Sequence, residues 1–402
     1  MNRKRIAIII AGAMILTPMQ AGVISHAVQL HKENGYVEAG INQQTNELMG
    51  NIQDYGAIVF GNATMEGGDS ETSFAIGGNL SAPLGGGSFT LATANEQYSR
   101  GTVVIGEPIN MQNRCGLLLG GILDPNGLKS NNTSGNIGKL NVEAPNIITT
   151  GKEADPYNQL KTSETWNGTN IEYANKNIVE NKFNDFKEYA IKTLGNATST
   201  IQGLGNNTWS MYKTDTNGNI AVNKLANENG TTTIENINVP ENMAINNTNG
   251  QNTNNFTVIY SDAKIINFSD FNLSVENQQI NDGTPLNSLN SEASKVIYAF
   301  PNATNINISD SSIIGSIIAP NATLNLKGGF INGQIVAQNF NKTKGGEIHS
   351  FYFQWEKFNN LFRNAMITVK NSETGKVLPN ATVTVNGTTY TTGVNGTVTI
   401  NN

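Results

Sequence analysis

The sequence predicts a mainly β protein: a right-handed parallel β-solenoid with one flanking α-helix, followed by a partial C-terminal β-sandwich. The first observation behind this is a very short internal repeat within residues 295–353. Pro301-Asn302-Ala303-Thr304 returns nineteen positions on as Pro320-Asn321-Ala322-Thr323, and Gly315-Ser316-Ile317-Ile318-Ala319 returns eighteen positions on as Gly333-Gln334-Ile335-Val336-Ala337. At roughly 3.3 Å per extended residue such a period traces about 60 Å, one coil of a three-sided solenoid whose rungs stack on one another. The second is alternation in Asn305-Ile306-Asn307-Ile308 and Leu324-Asn325-Leu326, which turns one set of side chains inward and leaves the other in solvent. The third is that a single stretch, residues 155–204, departs from this pattern toward helical spacing. Glycine and Asn fall between the apolar runs, where corners need φ > 0 or local backbone hydrogen bonding, and Asn at equivalent corners can stack into ladders. Gly315, Pro320, Asn321 and Gly333 are accordingly structural candidates. A β-sandwich of short strands is the competing architecture.

From the beginning of the chain, residues 1–27 have the three parts of a secretory signal peptide. Arg3, Lys4 and Arg5 are the positive region, residues 6–16 are an apolar run, and Ser25-His26-Ala27 is a small-x-small cleavage site, with Ala21 as a second candidate. Eleven apolar residues are too few to span a bilayer, so the expectation is export and cleavage; an uncleaved N-terminal anchor is the alternative. No later run approaches the roughly twenty apolar residues of a membrane span, so no transmembrane segment is expected in the mature chain. A net charge of −6 with only 14% charged residues leaves no basic patch for nucleic acid. The single cysteine, Cys115, excludes an internal disulfide, and a chain of 402 residues is long enough to be held by packing instead.

Residues 28–54 are a polar leader and N-terminal cap, expected to cover a strand edge at one end of the solenoid. Residues 55–355 form the solenoid. Its first strand candidates are 57–60, 74–76, 102–105 and 117–119, each a short β-rich run followed closely by glycine. Cys115 reads as a small buried residue, or otherwise a reactive thiol. Ile171, Ala174, Ile178, Phe183, Phe186, Ala190 and Leu194 recur at three- to five-residue spacing; with Thr169 or Asn170 as cap and Gly195 as stop, they predict a helix over 170–194. Its apolar stripe needs a surface, either a solenoid flank or a separate small domain. Residues 206–255 are rich in Asn, Thr and Gly and are expected to form long loops or irregular rungs. Strands restart at 256–260, 265–266 and 296–298. Residues 356–363 are a linker, and 364–402 change to clean alternation, as in Val383-Thr384-Val385 and Val398-Thr399-Ile400.

The pairing of GSIIAPNAT with GGFINGQIVAQNF, then Gly346-Glu347-Ile348-His349 and Phe353, resembles the closing signature of the choice-of-anchor A family. Val59-Phe60-Gly61 and Phe74-Ala75-Ile76-Gly77-Gly78-Asn79-Leu80 are similar to its opening rungs, so the resemblance spans residues 50–355 and is diverged in the middle. It implies an ice-binding-like β-solenoid serving as an adhesive domain of bacterial surface proteins. Residues 366–400 resemble the first half of the prealbumin-like stalk repeats of Gram-positive adhesins, and equally the carboxypeptidase-regulatory-like modules. Leu378-Pro379-Asn380-Ala381-Thr382 does not qualify as a sortase signal, because Thr is misplaced and no Gly follows it.

Candidate chemistry is sparse. Of the three histidines, His26 and His31 precede the body and His349 lies within it beside Glu347. A Glu-x-His pair can bind metal or share a proton, but in the family's closing motif a structural role in the last rung is the simpler account. Glu66, Asp69 and Glu71 gather three carboxylates in a Gly-rich stretch, the hard-oxygen chemistry of Ca²⁺, without the spacing of a calcium loop; a solvated acidic turn is the plainer reading. No phosphate loop, GxSxG, HExxH or CxxC motif occurs. The expected function is a secreted or cell-surface adhesin that binds an extracellular protein or glycan without catalysis. The alternatives are a polysaccharide-active β-helix enzyme, which needs clustered Asp, Lys and Arg, and an ice- or crystal-surface binder, which needs ranked Thr-x-Thr.

Overall fold

The computed structural model describes residues 47–400 except 67–68, 82–88, 92–102, 105–106, 109–114, 125–139, 143–145, 156–159, 163–169, 206, 209–212, 215–219, 240–255, 276–277, 281–292, 344, 350, 363–364 and 386–387. The expected signal peptide, His26 and His31 lie outside the described residues. One compact unit spans residues 41–358 and another contains residues 359–402.

The larger unit is a three-sided solenoid. Its first side stacks ten parallel rungs in the order Ile220–Lys224, Phe256–Tyr260, Val296–Ala299, the first part of Ser316–Lys327, the first part of Ile335–Thr343, Ala57–Val59, Phe74–Ile76, Cys115–Leu119, Asn146–Thr149 and Asn170–Tyr173. The second side runs from Thr231–Val239 through Ile265–Val275, Asn305–Ser309 and the later parts of the two long strands to Ala63–Met65 and Leu80–Ser81. The third side consists of Ser312–Ile314, Phe330–Asn332 and Glu347–His349, then Asp69–Ser70, Phe89–Leu91, Leu140–Val142 and Leu160–Thr162. The first PNAT copy turns between two strands of the sheet in which the second copy lies, with Ala299 opposite Ile318 before the motif and Asn305, just after the first copy, opposite Thr323, the last residue of the second.

Rung order is not chain order. The last coil docks on the first, Ile335 opposite Ala57 and Ala337 opposite Val59, so two half-solenoids meet at a central seam and their other ends point apart. One helix, α1 (Lys176–Leu204), connects those far ends. Its 29 residues at ~1.5 Å each extend about 43 Å, and nine gaps of ~4.8 Å between ten rungs also come to about 43 Å. The distance it must cover sets its length.

The buried stripe of α1, including Val179, Phe183, Phe186, Ala190, Leu194, Ala197 and Ile201, lies against the first side. The outward column beneath it reads Lys224, Tyr260, Ala299, Ile318, Val336, Ile58, Ala75, Leu118, Ile148 and Glu172 in register: polar at both ends and apolar between. Ile318, Val336, Ile58, Ala75, Leu118 and Ile148 are fully buried, at 0% exposure. Each large aliphatic member removed from water contributes ~1.5–3 kcal/mol. A separate lumen core holds Phe74, Leu117, Tyr298, Ile317, Leu324 and Phe340.

Several sequence expectations change here. The helix begins six residues later than 170, because Asn170–Tyr173 pairs as a rung with Asn146–Thr149 and takes Ile171 out of the helical stripe. Asn175 is its cap, accepting from the Asn177 N–H at 2.9 Å. Gly195 does not stop it, since Ala197 and Ile201 prolong the apolar stripe until Gly205, at φ 90°. The described residues within 206–255 include two rungs, Ile220–Lys224 and Thr231–Val239, the second with a register shift between Ile234 and Asn236; its inward Ile234 and Ile237 are outnumbered by outward polar residues. Val103–Val104 pairs antiparallel with Glu107–Pro108 and is not a rung. The described part of the leader lies beside the seam and caps no end, because the coil that follows it is central; Lys213–Thr214, antiparallel to Ile220–Lys224, covers an end instead. The linker starts later than 356, since Phe358 is buried with ring centroids 5.3 Å from Phe256 and 5.5 Å from Phe353.

The corner residues behave as their type requires. Asp270, Asp310 and Gly328, at φ 46°, 45° and 71°, follow the paired segments 265–269, 305–309 and 323–327 on successive coils, in the left-handed region that Gly and Asp enter most easily. Gly315 has φ 112°, and a Cβ on Gly333 would collide with the Gly315 carbonyl. Pro320 is buried at the bend of its strand and Asn321 is exposed beside it. In the C-terminal unit, Ala365–Thr368 pairs antiparallel with Thr397–Ile400 and Thr382–Val385 with Thr388–Thr391.

Candidate functional site: the open side and the seam

The three sides differ in what meets solvent. On the second side, inward Ile266, Ile306, Leu324 and Phe340 are buried, and alternate residues point out. One outward column is a hydrogen-bonded amide ladder. Asn307 Nδ2 donates to Asn267 Oδ1 at 2.9 Å, Asn325 Nδ2 to Asn307 Oδ1 at 3.0 Å, and Asn341 Nδ2 to Asn325 Oδ1 at 2.9 Å. Thr233 extends the column at one end, and Thr64 then Ser81 at the other. Beside it run Ile265, Asn305, Thr323 and Asn339 on one flank and Ser269, Ser309, Lys327 and Thr343 on the other. A second ladder turns the corner, as the sequence anticipates for Asn: Asn339 Oδ1 accepts from Asn62 N–H, Asn62 Oδ1 from Asn79 N–H, and Asn79 Oδ1 from Ile122 N–H, at 3.0, 2.8 and 3.1 Å.

The seam collects the ionisable residues. His349 is 1% exposed; its Nδ1 lies 2.7 Å from Asn332 Oδ1, its Nε2 lies 3.2 Å from Glu347 Oε2 and 4.0 Å from Glu71 Oε1, and its ring stacks on Phe330 at 5.3 Å. The acidic turn is therefore not uniformly solvated. Glu71 is 3% exposed, because its backbone N–H donates to Ile348 O at 3.1 Å and draws it into the junction between the halves. Glu66 is exposed, and its N–H donates to Lys342 O, continuing the second-side ladder of Ala63–Met65. Asp69 lies in the strand Asp69–Ser70. Among the described residues, no group of three or more His, Cys, Asp or Glu is arranged to hold a metal ion. Cys115 is buried, with Sγ 3.2 Å from Leu117 O.

Gln334, within the repeat but not a sequence candidate, is the seam's hub. Its Nε2 donates to Tyr55 O at 2.6 Å and Ile52 O at 3.4 Å, and its Oε1 accepts from Phe353 N–H and Trp355 Nε1–H, both at 2.8 Å. One fully buried amide thus ties the segment before the first coil to the segment after the last, with every donor and acceptor used. The only available signal was the exchange of Ser316 for Gln334 at equivalent repeat positions. Nearby, burial lowers the pKa of Lys182 against the opposing pull of Asp185 and Asp54, and its Nζ sits 5.7 Å from the Phe186 ring centre.

The span from Met49 to His349, which contains every one of these coils, is also the span of a sequence match: the profile of the family described as "Putative Ice-binding-like adhesive domain" covers residues 48–350. The chain belongs to this family. Among solved structures, an ice-binding protein from the Antarctic ascomycete Antarctomyces psychrotrophicus is similar over 74% of this chain and 95% of its own, at 13% identity and a TM-score of 0.31. No curated protein matches the chain. The adhesive domain thus occupies the solenoid, and no helix among the described residues is long and apolar enough to cross a membrane.

Proposed function

We propose that the protein is an extracellular adhesin, secreted or displayed on a Gram-positive cell, which holds a host, matrix or neighbouring-cell ligand on the second side of its solenoid without catalysis or a cofactor. The observation that carries this is the asymmetry of coverage: α1 seals the outward column of the first side, whereas the amide ladder of the second side stays half-exposed in regular register. Membership of an adhesive-domain family supports the same reading. Within it, the closing motif through His349 suits a choice-of-anchor A domain, and residues 364–402 suit a prealbumin-like stalk unit. The test is binding of the full chain to immobilised matrix proteins, glycans and whole cells. Retention that is lost on altering the second side and kept on altering exposed residues of α1 supports the proposal; unaltered retention in both sets, or turnover of a polysaccharide, refutes it.

Ice-surface binding is the second reading, favoured by hydroxyl and amide groups repeating at the rung spacing. The outward pairs Asn305/Asn307, Thr323/Asn325 and Asn339/Asn341 are not paired threonines; among the described rungs of this side only Thr231/Thr233 fits that pattern. Inhibition of ice recrystallisation by the full chain decides it.

A further inference from the structure

We infer that the ligand of the second side is a neutral polysaccharide, laid along the solenoid axis and held by the spare hydrogen-bonding groups of the Asn267–Asn307–Asn325–Asn341 ladder. This rests on the adhesive reading above and narrows its ligand class.

The first reason is hydrogen-bond inventory. An amide has two N–H donors and an oxygen with two lone pairs. In the ladder Asn307 and Asn325 each spend one N–H and one lone pair on their neighbours. One of each remains for an outside partner, on side chains already fixed by the column, so little rotamer freedom is lost on binding. A sugar hydroxyl, donor and acceptor at once, is the group that uses both.

The second reason is charge. In the three outward columns from Ile265 to Thr343 the one ionisable side chain is Lys327, with Asp270 and Asp310 at the corner beyond. Acidic glycans and nucleic acids need clustered cations, which these columns lack. Protein interfaces are anchored by aromatic residues and Arg, and the columns contain neither.

The third reason is shape. From Thr233 to Ser81 the ladder column crosses seven rungs, about 29 Å at ~4.8 Å per step. That is long enough for several consecutive sugars. Single hydrogen bonds are worth only ~0.5–1.5 kcal/mol net, so useful affinity comes from repetition along one chain.

The experiment applies the full chain to immobilised neutral polymers (β-1,4-glucan, mannan, dextran), acidic ones (hyaluronan, heparin) and matrix proteins, with oligosaccharides of increasing length as competitors. The expected result is retention on a neutral polymer that persists in molar salt, competition that strengthens with oligosaccharide length, and weakening of about tenfold in N307L/N325L, the loss of two hydrogen-bonding sites. Lys327→Ala should bind like the parent. Circular dichroism confirms folding; should the double variant not fold, Asn325→Thr, which removes one amide but keeps a β-compatible side chain, replaces it. Retention confined to acidic polymers, or neutral retention indifferent to these variants, overturns the inference. A protein ligand held on this side with no glycan retained overturns it and leaves the adhesive reading intact, whereas no retention on any surface removes both.

Discussion

The strand Ser316–Lys327 runs across two sides of the solenoid and meets two different fates. In its first part every residue is buried, with Ile317 in the lumen and Ile318 under α1; in its second, Leu324 and Leu326 are buried while Thr323 and Asn325 stay half-exposed. The inward positions are alike. What separates a structural side from a presenting one is the outward set, apolar where a helix must seat and mostly uncharged polar, with Lys327 the one charge in these columns, where no described residue covers it.

Placing a charge in the covered column should break the contrast most severely. Val336→Asp buries a carboxylate beneath α1 at a position with 0% exposure and should cost about 4 kcal/mol, read as a lowered midpoint in urea unfolding. Gln334→Leu should cost about 3 kcal/mol, since Tyr55 O, Phe353 N–H and Trp355 Nε1–H lose their buried partner; differential scanning calorimetry checks it. On the open side N307L/N325L breaks the three part-buried bonds of the ladder and should cost about 1–2 kcal/mol by the same calorimetry, besides removing the proposed ligand contacts. Gly195→Ala should stabilise by ~0.5–1 kcal/mol and raise Tm by a few degrees, because Gly195 is exposed inside α1 and a Cβ there meets nothing within 4 Å.

The smallest effect sharpens the boundary between helix and seam. Burial lowers the pKa of Lys182 below its ordinary 10.5, so just below that value the unfolded chain binds more protons than the native one. Stability of the parent should therefore rise with pH, relative to Lys182→Met, between the lowered pKa and 10.5. Denaturant unfolding of the two proteins across the alkaline range measures this; parallel pH profiles would contradict it.

Much of the candidate site was legible in advance, residue by residue. Asn307 and Asn325 could be assigned outward from their alternation with Ile306, Ile308, Leu324 and Leu326; Asn ladders were expected at corners, where Asn62 and Asn79 form one, and the ladder along the open side is an addition. Gly315 and Gly333 could be assigned to corners. The stop at Gly195 failed because propensity at one exposed residue is a small term beside the apolar stripe that continues to Ile201. Within residues 206–255 the expectation of irregular rungs meets one rung with a register shift, Thr231–Val239, whose inward Ile234 and Ile237 are hard to pick out by composition because composition counts outward residues as well.

The sequence by itself determined the period of the repeated coils, the inward face of the alternating strands such as Asn305–Ser309 and the existence of one apolar-striped helix, since all three are patterns between near neighbours. Only the tertiary structure decided that the last coil seats against the first, bringing Glu71 to His349 and Gln334 to Tyr55 and Trp355. Every rung offers a similar parallel edge, so local alternation cannot say which edge meets which. That choice is made by a helix whose length fits the complete stack and by one buried amide whose partners lie at opposite ends of the domain's sequence.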